Sequence, residues 1–257
     1  MSSPDPRILR LAIAAPQAGY SLDPDAMVKA TEALTTLAGP AGPGPVRAVL
    51  LASDGPSFCS GGDVKGFQAA PDRQSHVTAM ATGLHEFIMA LVTVPVPVVA
   101  AAPGWAAGAG MSILCACDVV VGGPSTRLRP AYPSIGFSPD GGLTWSLPRI
   151  IGPVRARDLL LTDSVTTGEE AARLGLITRL VPDDQIAAEA ERVAQQFTTA
   201  SATALARIKR LLRDGAGRTL DRHLPYEAAS IGEAAADPDG TEGVDAFTQR
   251  RKPNFRP

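Results

Sequence analysis

The sequence predicts an α/β fold that ends in a helical C-terminal segment. Short runs of Val, Ile, Leu and Ala, bounded by Pro, Gly or Asp, have the length and composition of strands that are buried on both faces. Segments with apolar residues at helical spacing alternate with these runs, which is typical of a sheet covered by helices. The alternation stops at about Ser201, because helix and breaker signals then follow one another with no strand between them.

Each element follows from one of these two patterns. Apolar runs of strand length predict strands at 7–13, 46–53, 96–102, 118–122 and 177–181. Helical spacing predicts helices from Pro24 to Leu37, from Arg73 to Leu91 and from Asp184 to Phe197. The Gly/Pro-rich stretch at 38–45 is a connector. We therefore expect a core over residues 1–200 and a helical segment over residues 201–257.

Length and charge exclude several classes of protein. A chain of 257 residues can bury a sizeable core, and 45% hydrophobic against 19% charged residues argues against disorder. A net charge of −2 offers no basic footprint for nucleic acid. The apolar run at 7–13 is too short to span a bilayer, so it predicts a first strand rather than a signal or an anchor.

The cysteines and histidines predict neither a metal site nor covalent catalysis. Three cysteines form no ligand pattern and are expected to be small, buried, apolar residues: Cys59, Cys115 and Cys117. Such a set of thiols favours a reducing, cytoplasmic setting. Three histidines are too scattered for a triad or a metal centre: His76, His85 and His223.

Two turns rich in small residues are the strongest candidates for chemistry. Each follows a predicted buried strand and leads into a helix, and they read SGGDVKG at 60–66 and GWAAGAG at 104–110. If the backbone bends at Gly62 so that the N–H groups of Gly62 and Ala109 point at one place, they form an oxyanion hole for a carbonyl oxygen that becomes negative. Close packing of a helix on a strand would also require small residues here. The spacing matches no phosphate-binding loop.

Five segments, in their order along the chain, resemble the crotonase superfamily, also called the enoyl-CoA hydratase/isomerase family. They read SFCSGGDVKGF at 57–67, VPVVAAAPGWAAGAGMSILCACDVVV at 96–121, IGFSPDGGLTWSLPRIIG at 135–152, EAARLGLITRLVP at 170–182 and DAFTQRRKPNF at 245–255. The resemblance implies a spiral of β-β-α units, a CoA-thioester substrate and no cofactor beyond the coenzyme A of that substrate. It also implies C-terminal helices that close over the active site and mediate a homotrimer or a dimer of trimers, which light scattering would test.

The resemblance assigns roles to four positions. The family's two oxyanion donors fall on the backbone amides of Gly62 and Ala109, the second of which is usually glycine in the family. The two glutamates that serve the hydratases fall here on Ser112 and Tyr132. Serine is a poor base near neutral pH and tyrosine has a reference pKa of about 10, so ordinary hydration is disfavoured.

Asp140, in FSPDGGLTW, is the carboxylate in the most informative position. From the residues alone it is an N-cap or part of an Asp-Gly turn, at the start of a helix that runs to Pro148. The segment resembles the isomerase branch of the family, in which an acidic residue of this loop is the only acid/base. One carboxylate suffices to move a double bond, because it can remove a proton from C2 and return it to C4. The resemblance thus predicts a Δ3 to Δ2 enoyl-CoA isomerase, or a related isomerisation of aromatic-derived acyl-CoA.

Further residues are expected to contact the substrate or to shape its pocket. The substrate-binding set beyond the oxyanion donors is Ser60, Asp63, Val64, Lys65, Ser112, Tyr132, Phe247 and Lys252. Within it, Asp63 is expected to cap backbone N–H groups, and Lys65 either meets the CoA phosphates or is solvated. Phe247 and Lys252 match family positions at which the last helix approaches CoA, sometimes from a neighbouring subunit. Four aromatic residues either line an acyl pocket or belong to the core: Phe67, Phe87, Phe137 and Trp145.

Two other functions remain open at this point. A hydratase, or another lyase or hydrolase of the family, would use acid/base groups not placed here and would act on crotonyl-CoA. A non-catalytic protein that binds CoA thioesters would bind its ligand without turnover. In that second case the substitution Asp140→Asn would change nothing.

Overall fold

The structure, a computed structural model, describes residues 5–39 and 42–255. In chain order the elements are β1 (Ile8–Leu11), β2 (Ala14–Ala15), β3 (Ser21–Leu22), α1 (Pro24–Ala38), β4 (Ala48–Leu51), α2 (Val64–Ala69), α3 (Arg73–Thr93), β5 (Val98–Ala102), β6 (Trp105–Ala107), α4 (Ala109–Leu114), β7 (Val119–Gly122), β8 (Arg127–Arg129), α5 (Leu143–Ile151), α6 (Pro153–Thr162), β9 (Thr166–Thr167), α7 (Gly168–Leu174), β10 (Arg179–Leu180), α8 (Ile186–Phe197), α9 (Ala202–Gly215), α10 (Leu220–Ala236) and α11 (Pro238–Thr248). Short 3-10 turns lie at Pro16–Ala18, Pro133–Ile135 and Asp183–Gln185. The predicted connector at 38–45 and the predicted segment 201–257 extend partly beyond the described residues.

A parallel five-stranded sheet forms the centre of the molecule, in the order β1-β4-β5-β7-β10. Two of its three inner strands, β4 and β5, are buried at every residue, which is why their sequences are continuously apolar rather than alternating. The five predicted strands and the three predicted helices are all confirmed. A smaller sheet, β6-β8-β9, and the hairpin β2-β3 were not predicted, because strands of two or three residues carry no periodicity.

Helices cover both faces of the central sheet. Side chains of a strand point alternately to its two faces, and Ala48 and Leu50 of β4 accordingly pack with Ile186 and Val193 of α8. The neighbouring residues of the same strand join the larger cluster, which also holds buried residues of α1, α3, α4 and α5. The α/β architecture predicted from the sequence is confirmed, and the larger cluster lies beneath the two small-residue turns.

The C-terminal helices α9, α10 and α11 follow without an intervening strand, as predicted. Lys209 of α9 attaches this segment to the core, since its Nζ lies 2.7 Å from Asp118 Oδ2 and donates to the carbonyl oxygens of Leu91 at 3.0 Å and Val96 at 3.2 Å. The segment exposes a set of large apolar side chains: Ile208, Leu212, Leu220, Leu224, Ile231, Val244 and Phe247. The assembly and the lid that the resemblance implies stay predictions.

Helix α5 differs from the prediction, because it continues through Pro148 to Ile151. Proline removes one backbone donor from a helix. Three residues at helical spacing, Leu143, Leu147 and Ile151, are all buried on one face, and this packing outweighs the lost hydrogen bond. The helix ends instead at Gly152, which has a φ of 85°.

Buried thiols behave as the sequence predicts. All three cysteines are free, and Cys59 is fully buried while Cys115 and Cys117 are half-buried. Burial raises the pKa of the Cys59 thiol to about 11 and that of Cys115 to about 12. No helix in the described ranges is both long enough and apolar enough to cross a membrane.

Candidate active site

A cavity of about 790 Å³ lies between the first small-residue turn, helix α3 and the segment 131–140. Six of the predicted site residues line it: Ser60, Gly62, Val64, Ala109, Tyr132 and Asp140. The cavity therefore brings together three segments that are far apart in sequence. Among the described residues on its wall, Asp140 is the only carboxylate.

The two turns meet because the chain segments before them pair as parallel strands. The Cys59 N–H donates to the Trp105 carbonyl at 3.0 Å, and the Ala107 N–H donates to the Cys59 carbonyl at 2.9 Å. This bridge sets Cys59 opposite Ala106. Beyond this bridge the two turns stay in contact, since a Cβ on Gly108 would lie 3.6 Å from the Gly61 Cα.

Glycine conformation corrects one detail of the sequence analysis. The bend that was expected at Gly62 lies at Gly61, which has a φ of 101°, and its counterpart in the second turn is Gly108, with a φ of 54°. A Cβ on Gly61 would lie 3.1 Å from the Ala107 carbonyl oxygen, so both conformation and space require glycine there. Ala109 is already the first residue of α4. An alanine is acceptable at 109 because the unusual backbone conformation belongs to Gly108.

The amides of Gly62 and Ala109 are open donors. Within the described part of the chain, neither N–H group donates a hydrogen bond to another residue. Both residues line the cavity. Buried backbone donors are nearly always paired, so two open donors on one cavity wall fit an acceptor supplied by a ligand. Their role as oxyanion donors stays a prediction.

Asp140 belongs to a polar network rather than to a helix cap. Helix α5 has Gly142 as its N-cap, with no capping side chain. The half-buried Asp140 instead accepts a hydrogen bond at Oδ1 from the Tyr132 hydroxyl at 2.6 Å. Ser112 Oγ donates to the Asp140 backbone carbonyl at 3.0 Å and lies 3.3 Å from the Tyr132 hydroxyl.

Tyr132 is a protonated donor in this network. Burial, together with the nearby Asp140 carboxylate and the hydrogen bond to it, raises the pKa of Tyr132 well above its ordinary range. The phenol therefore keeps its proton at neutral pH and directs it at the carboxylate. The buried Tyr132 thus combines aromatic packing with a specific polar contact.

Ser112 and the residues around the first turn are placed differently from the substrate-binding prediction. Ser112 is 1% exposed and does not line the cavity, so contact with a substrate does not fit its burial. Asp63 caps α2 as expected, accepting from the Lys65 N–H at 3.1 Å. Lys65 is exposed and off the cavity wall, and the same holds for Phe247 and Lys252 within this chain. A contribution of the last two to a neighbouring subunit stays a prediction.

One face of helix α3 forms a wall that sequence reasoning missed. Most of its residues follow helical spacing, and they are Arg73, Gln74, Val77, Thr78, Met80, Ala81, Thr82, Leu84 and His85. The repeat of three and four residues was visible in the sequence, but nothing indicated which face would meet the site. His85 thus belongs to the cavity, whereas His76 packs its ring edge against Phe67, with ring centroids 6.1 Å apart.

The predicted aromatic residues divide between cavity, core and surface. Phe67 and Phe137 line the cavity and stack with ring centroids 6.1 Å apart. A Cβ at Gly62 would approach the Phe67 ring to 2.7 Å, so glycine at 62 makes room for this ring beside the amide. Phe87 is fully buried in the core, and Trp145 is exposed beneath the Arg149 guanidinium.

Asp163, at the end of α6, holds the backbone that carries Tyr132. Its Oδ1 accepts the Ala131 N–H at 2.7 Å, and its Oδ2 pairs with Arg129 at 2.7 Å. Ala131 has a φ of 60°, a strained value for a residue with a Cβ. Burial alone would raise the pKa of Asp163, but the hydrogen bonds from Arg129 and Ala131 hold it below the ordinary value of 3.8.

We expect Asp163→Asn to lower the free energy of unfolding by about 1–2 kcal/mol at pH 7, because charge-assisted hydrogen bonds are lost. Since the pKa of Asp163 is lower in the folded state, this contribution is complete above the ordinary value of 3.8 and is lost as pH falls through the folded value. Urea denaturation between pH 7 and pH 3 measures both effects. The exposed Asp158 of the same helix is the control, as Asp158→Asn. A difference from wild type that persists at low pH would contradict the assignment.

The fold and the site define the class, an α/β protein whose cavity wall carries two open backbone amides and, among the described residues, a single carboxylate. Residues 6–257 match the model of the enoyl-CoA hydratase/isomerase family. The chain is 35% identical to a probable enoyl-CoA hydratase of Rhodobacter capsulatus over 82% of each protein. It is 32% identical to the 1,2-epoxyphenylacetyl-CoA isomerase of Escherichia coli, over 82% of this chain and 81% of that protein.

A solved structure is similar over the full length. The crystal structure of an enoyl-CoA hydratase from a Polaromonas species has a TM-score of 0.92 and 32% identity, and the match covers 100% of this chain and 99% of that one. This chain belongs to the enoyl-CoA hydratase/isomerase family. In the ranges that the structure describes, no cluster of His, Cys, Asp or Glu could hold a metal ion.

Proposed function

We propose that this protein is an enoyl-CoA isomerase that moves a double bond from C3 to C2 of an acyl-CoA thioester, with Asp140 as its acid/base. The observation that carries the proposal is that Asp140 is the only carboxylate among the described residues of the cavity wall. Ser112 and Tyr132 stand where the family's hydratases have their two glutamates. A pair of carboxylates for activating water is thus absent from this wall, whereas one carboxylate suffices for isomerisation.

The proposed reaction moves one proton and consumes no water. Asp140 takes a proton from C2, and the C–H electron pair delocalises into the thioester as a dienolate. The N–H groups of Gly62 and Ala109 donate to the thioester oxygen as it becomes negative, and each such donor typically lowers the barrier by about 3–4 kcal/mol. Asp140 then returns the proton to C4, which leaves the double bond between C2 and C3. No cofactor is needed beyond the coenzyme A of the substrate.

The cavity wall supports an acyl group that carries a ring. Phe67 lies next to Gly62, Phe137 stacks on Phe67, and both rings line the cavity that would hold the acyl group. Aromatic rings pack favourably against one another at such distances. A relative whose name specifies an epoxyphenylacetyl-CoA substrate, at 32% identity, supports the same substrate class.

The proposal is tested by absorbance of the conjugated thioester when the protein meets a 3-enoyl-CoA. We expect conversion of both 3-hexenoyl-CoA and a 3-enoyl-CoA that ends in a phenyl ring, with the larger kcat/KM for the second. Crotonyl-CoA, offered in parallel, should lose no conjugated thioester to water addition. If neither 3-enoyl substrate is converted, the proposal is overturned. Binding of these substrates without turnover would favour the non-catalytic alternative.

Hydration is the second candidate function, because His85 lines the same cavity as Asp140 and could supply a second acid/base group. The relative from Rhodobacter capsulatus is named as a probable hydratase. His85 is exposed on α3, and its side chain makes no hydrogen bond, ion pair or ring contact with another described residue that would fix its ring. If the protein adds water to crotonyl-CoA and His85→Gln abolishes this activity, hydration replaces isomerisation as the proposed function.

A further inference from the structure

We infer that Tyr132 is a positioning residue: its phenol holds one carboxylate oxygen of Asp140 and leaves the other oxygen to carry the proton. The inference rests on the proposed role of Asp140 as the base. It assigns Tyr132 a task different from contact with the substrate.

The hydrogen bonds around Asp140 distinguish its two oxygens. Oδ1 accepts the Tyr132 hydroxyl at 2.6 Å, whereas Oδ2 accepts no hydrogen bond from any described residue. Ser112 holds the backbone of the same residue through its 3.0 Å hydrogen bond to the Asp140 carbonyl. The Tyr132 hydroxyl therefore holds the side chain of Asp140, while the Ser112 hydroxyl and the Leu143 N–H, at 3.2 Å, hold its main-chain carbonyl. Oδ2 is the oxygen that remains free at the cavity.

Tyr132 can position Asp140 because it is itself held rigidly. Its ring is 7% exposed, and its carbonyl accepts the N–H groups of Ile135 at 3.1 Å and Phe137 at 3.0 Å. On its N-terminal side, Asp163 fixes Ala131 in its positive φ conformation. Strained backbone persists only where its surroundings enforce it. The surrounding backbone thus preorganises the Tyr132 phenol for its hydrogen bond to the Asp140 carboxylate.

A fixed carboxylate has a specific consequence for proton transfer. In the reaction the C2–H bond breaks as an O–H bond forms at Oδ2, and that O–H bond breaks as the C4–H bond forms. If the carboxylate could rotate, the protonated oxygen would turn away from the dienolate and exchange with water. Tyr132 keeps the proton at the oxygen that faces the substrate, so C4 receives mainly the proton that left C2.

The test is isomerisation of 3-hexenoyl-CoA in D2O by wild type and by Tyr132→Phe, with deuterium at C4 of the product measured by mass spectrometry. We expect kcat of the variant to fall about 10-fold to 100-fold, the value of one hydrogen bond to a charged group, with KM nearly unchanged. The fraction of product that carries solvent deuterium should rise. A matched control is Tyr226→Phe, which removes a phenol–carboxylate hydrogen bond of 3.1 Å to Asp214 in the C-terminal segment and should behave as wild type.

Two further variants separate positioning from general damage. In an Asp140→Asn background, adding Tyr132→Phe should slow the reaction no further, because Tyr132 acts through Asp140. Ser112→Ala removes one of the two hydrogen bonds to the Asp140 carbonyl and leaves the phenol, so it should give a smaller change in the same direction. If Tyr132→Phe fails to fold, the Ser112→Ala result decides.

Exchange of the C2 protons of butanoyl-CoA in D2O separates failure of this inference from failure of the proposed function. This exchange requires the base but no double bond. If the wild type exchanges the C2 protons but does not isomerise 3-hexenoyl-CoA, the proposed reaction is overturned. A slower exchange in Tyr132→Phe would then still support the positioning role. Equal kcat and equal deuterium content in wild type and Tyr132→Phe would overturn the inference. A wild-type protein that catalyses neither exchange nor isomerisation would also overturn it.

Discussion

Asp140→Asn is expected to reduce isomerisation of a 3-enoyl-CoA by about 10²-fold to 10⁴-fold, the usual contribution of a general acid/base. The amide has the shape of the carboxylate but cannot take a proton from C2. The Tyr132 hydroxyl can still donate to the amide oxygen, so the 2.6 Å contact and the local packing are retained. Activity should fall without loss of the fold.

Two measurements make this result specific. Calorimetric binding of butanoyl-CoA should give a similar dissociation constant for wild type and variant, because the oxyanion donors and the cavity wall are unchanged. Asp54→Asn, at an exposed aspartate in the loop after β4, should keep wild-type kcat. Equal rates in wild type and Asp140→Asn would remove Asp140 from the reaction and return hydration through another group as the leading function.

Ala109→Pro is expected to reduce kcat by about 10²-fold to 10³-fold, because it deletes one oxyanion donor. A backbone amide can rarely be removed without breaking a hydrogen bond of the fold. Ala109 permits it, since it is the first residue of α4 and its N–H has no partner in the described structure. Proline is well tolerated at the first position of a helix. Gly108 before it is not in the α conformation, which also suits a following proline.

The matched control is Ala109→Gly, which keeps the amide and should retain kcat within a few-fold. Thermal unfolding of both variants shows whether the fold is preserved. The proline ring also lies close to the position of the thioester oxygen, so an increase in KM is expected together with the fall in kcat. A folded Ala109→Pro protein with wild-type kcat would exclude this amide as an oxyanion donor.

Local sequence patterns predict most of the fold because buried parallel strands and amphipathic helices have strong signatures. Strands β4 and β5 are apolar at every position, and α8 repeats its buried residues at helical spacing. Such patterns are short-range, since they depend on residues within a few positions of one another. These patterns did not predict that α5 continues through Pro148, because this continuation depends on what Leu147 and Ile151 pack against.

The sequence predicted those residues of the candidate site that lie in recognisable segments. Gly62, Ala109 and Asp140 were singled out from two small-residue turns, one acidic loop and a family resemblance. The bend was expected at Gly62 and lies at Gly61, because the strain is set by contact with Ala107 in the neighbouring turn. Ser112 was expected at the substrate, but its burial behind the cavity wall follows from contacts with residues 20 and 28 positions away.

The sequence by itself determined the five strands of the central sheet, three of the helices that cover it, the helical C-terminus, the two turns and the acidic loop at Asp140. Only the tertiary structure decided how these parts meet: the Cys59–Ala106 pairing that joins the two turns, and the contact between Tyr132 and Asp140. It also decided the Asp163 contact that fixes the intervening backbone. These are pairings between residues without shared periodicity, and their distances are set by packing of the whole chain rather than by local conformational preference.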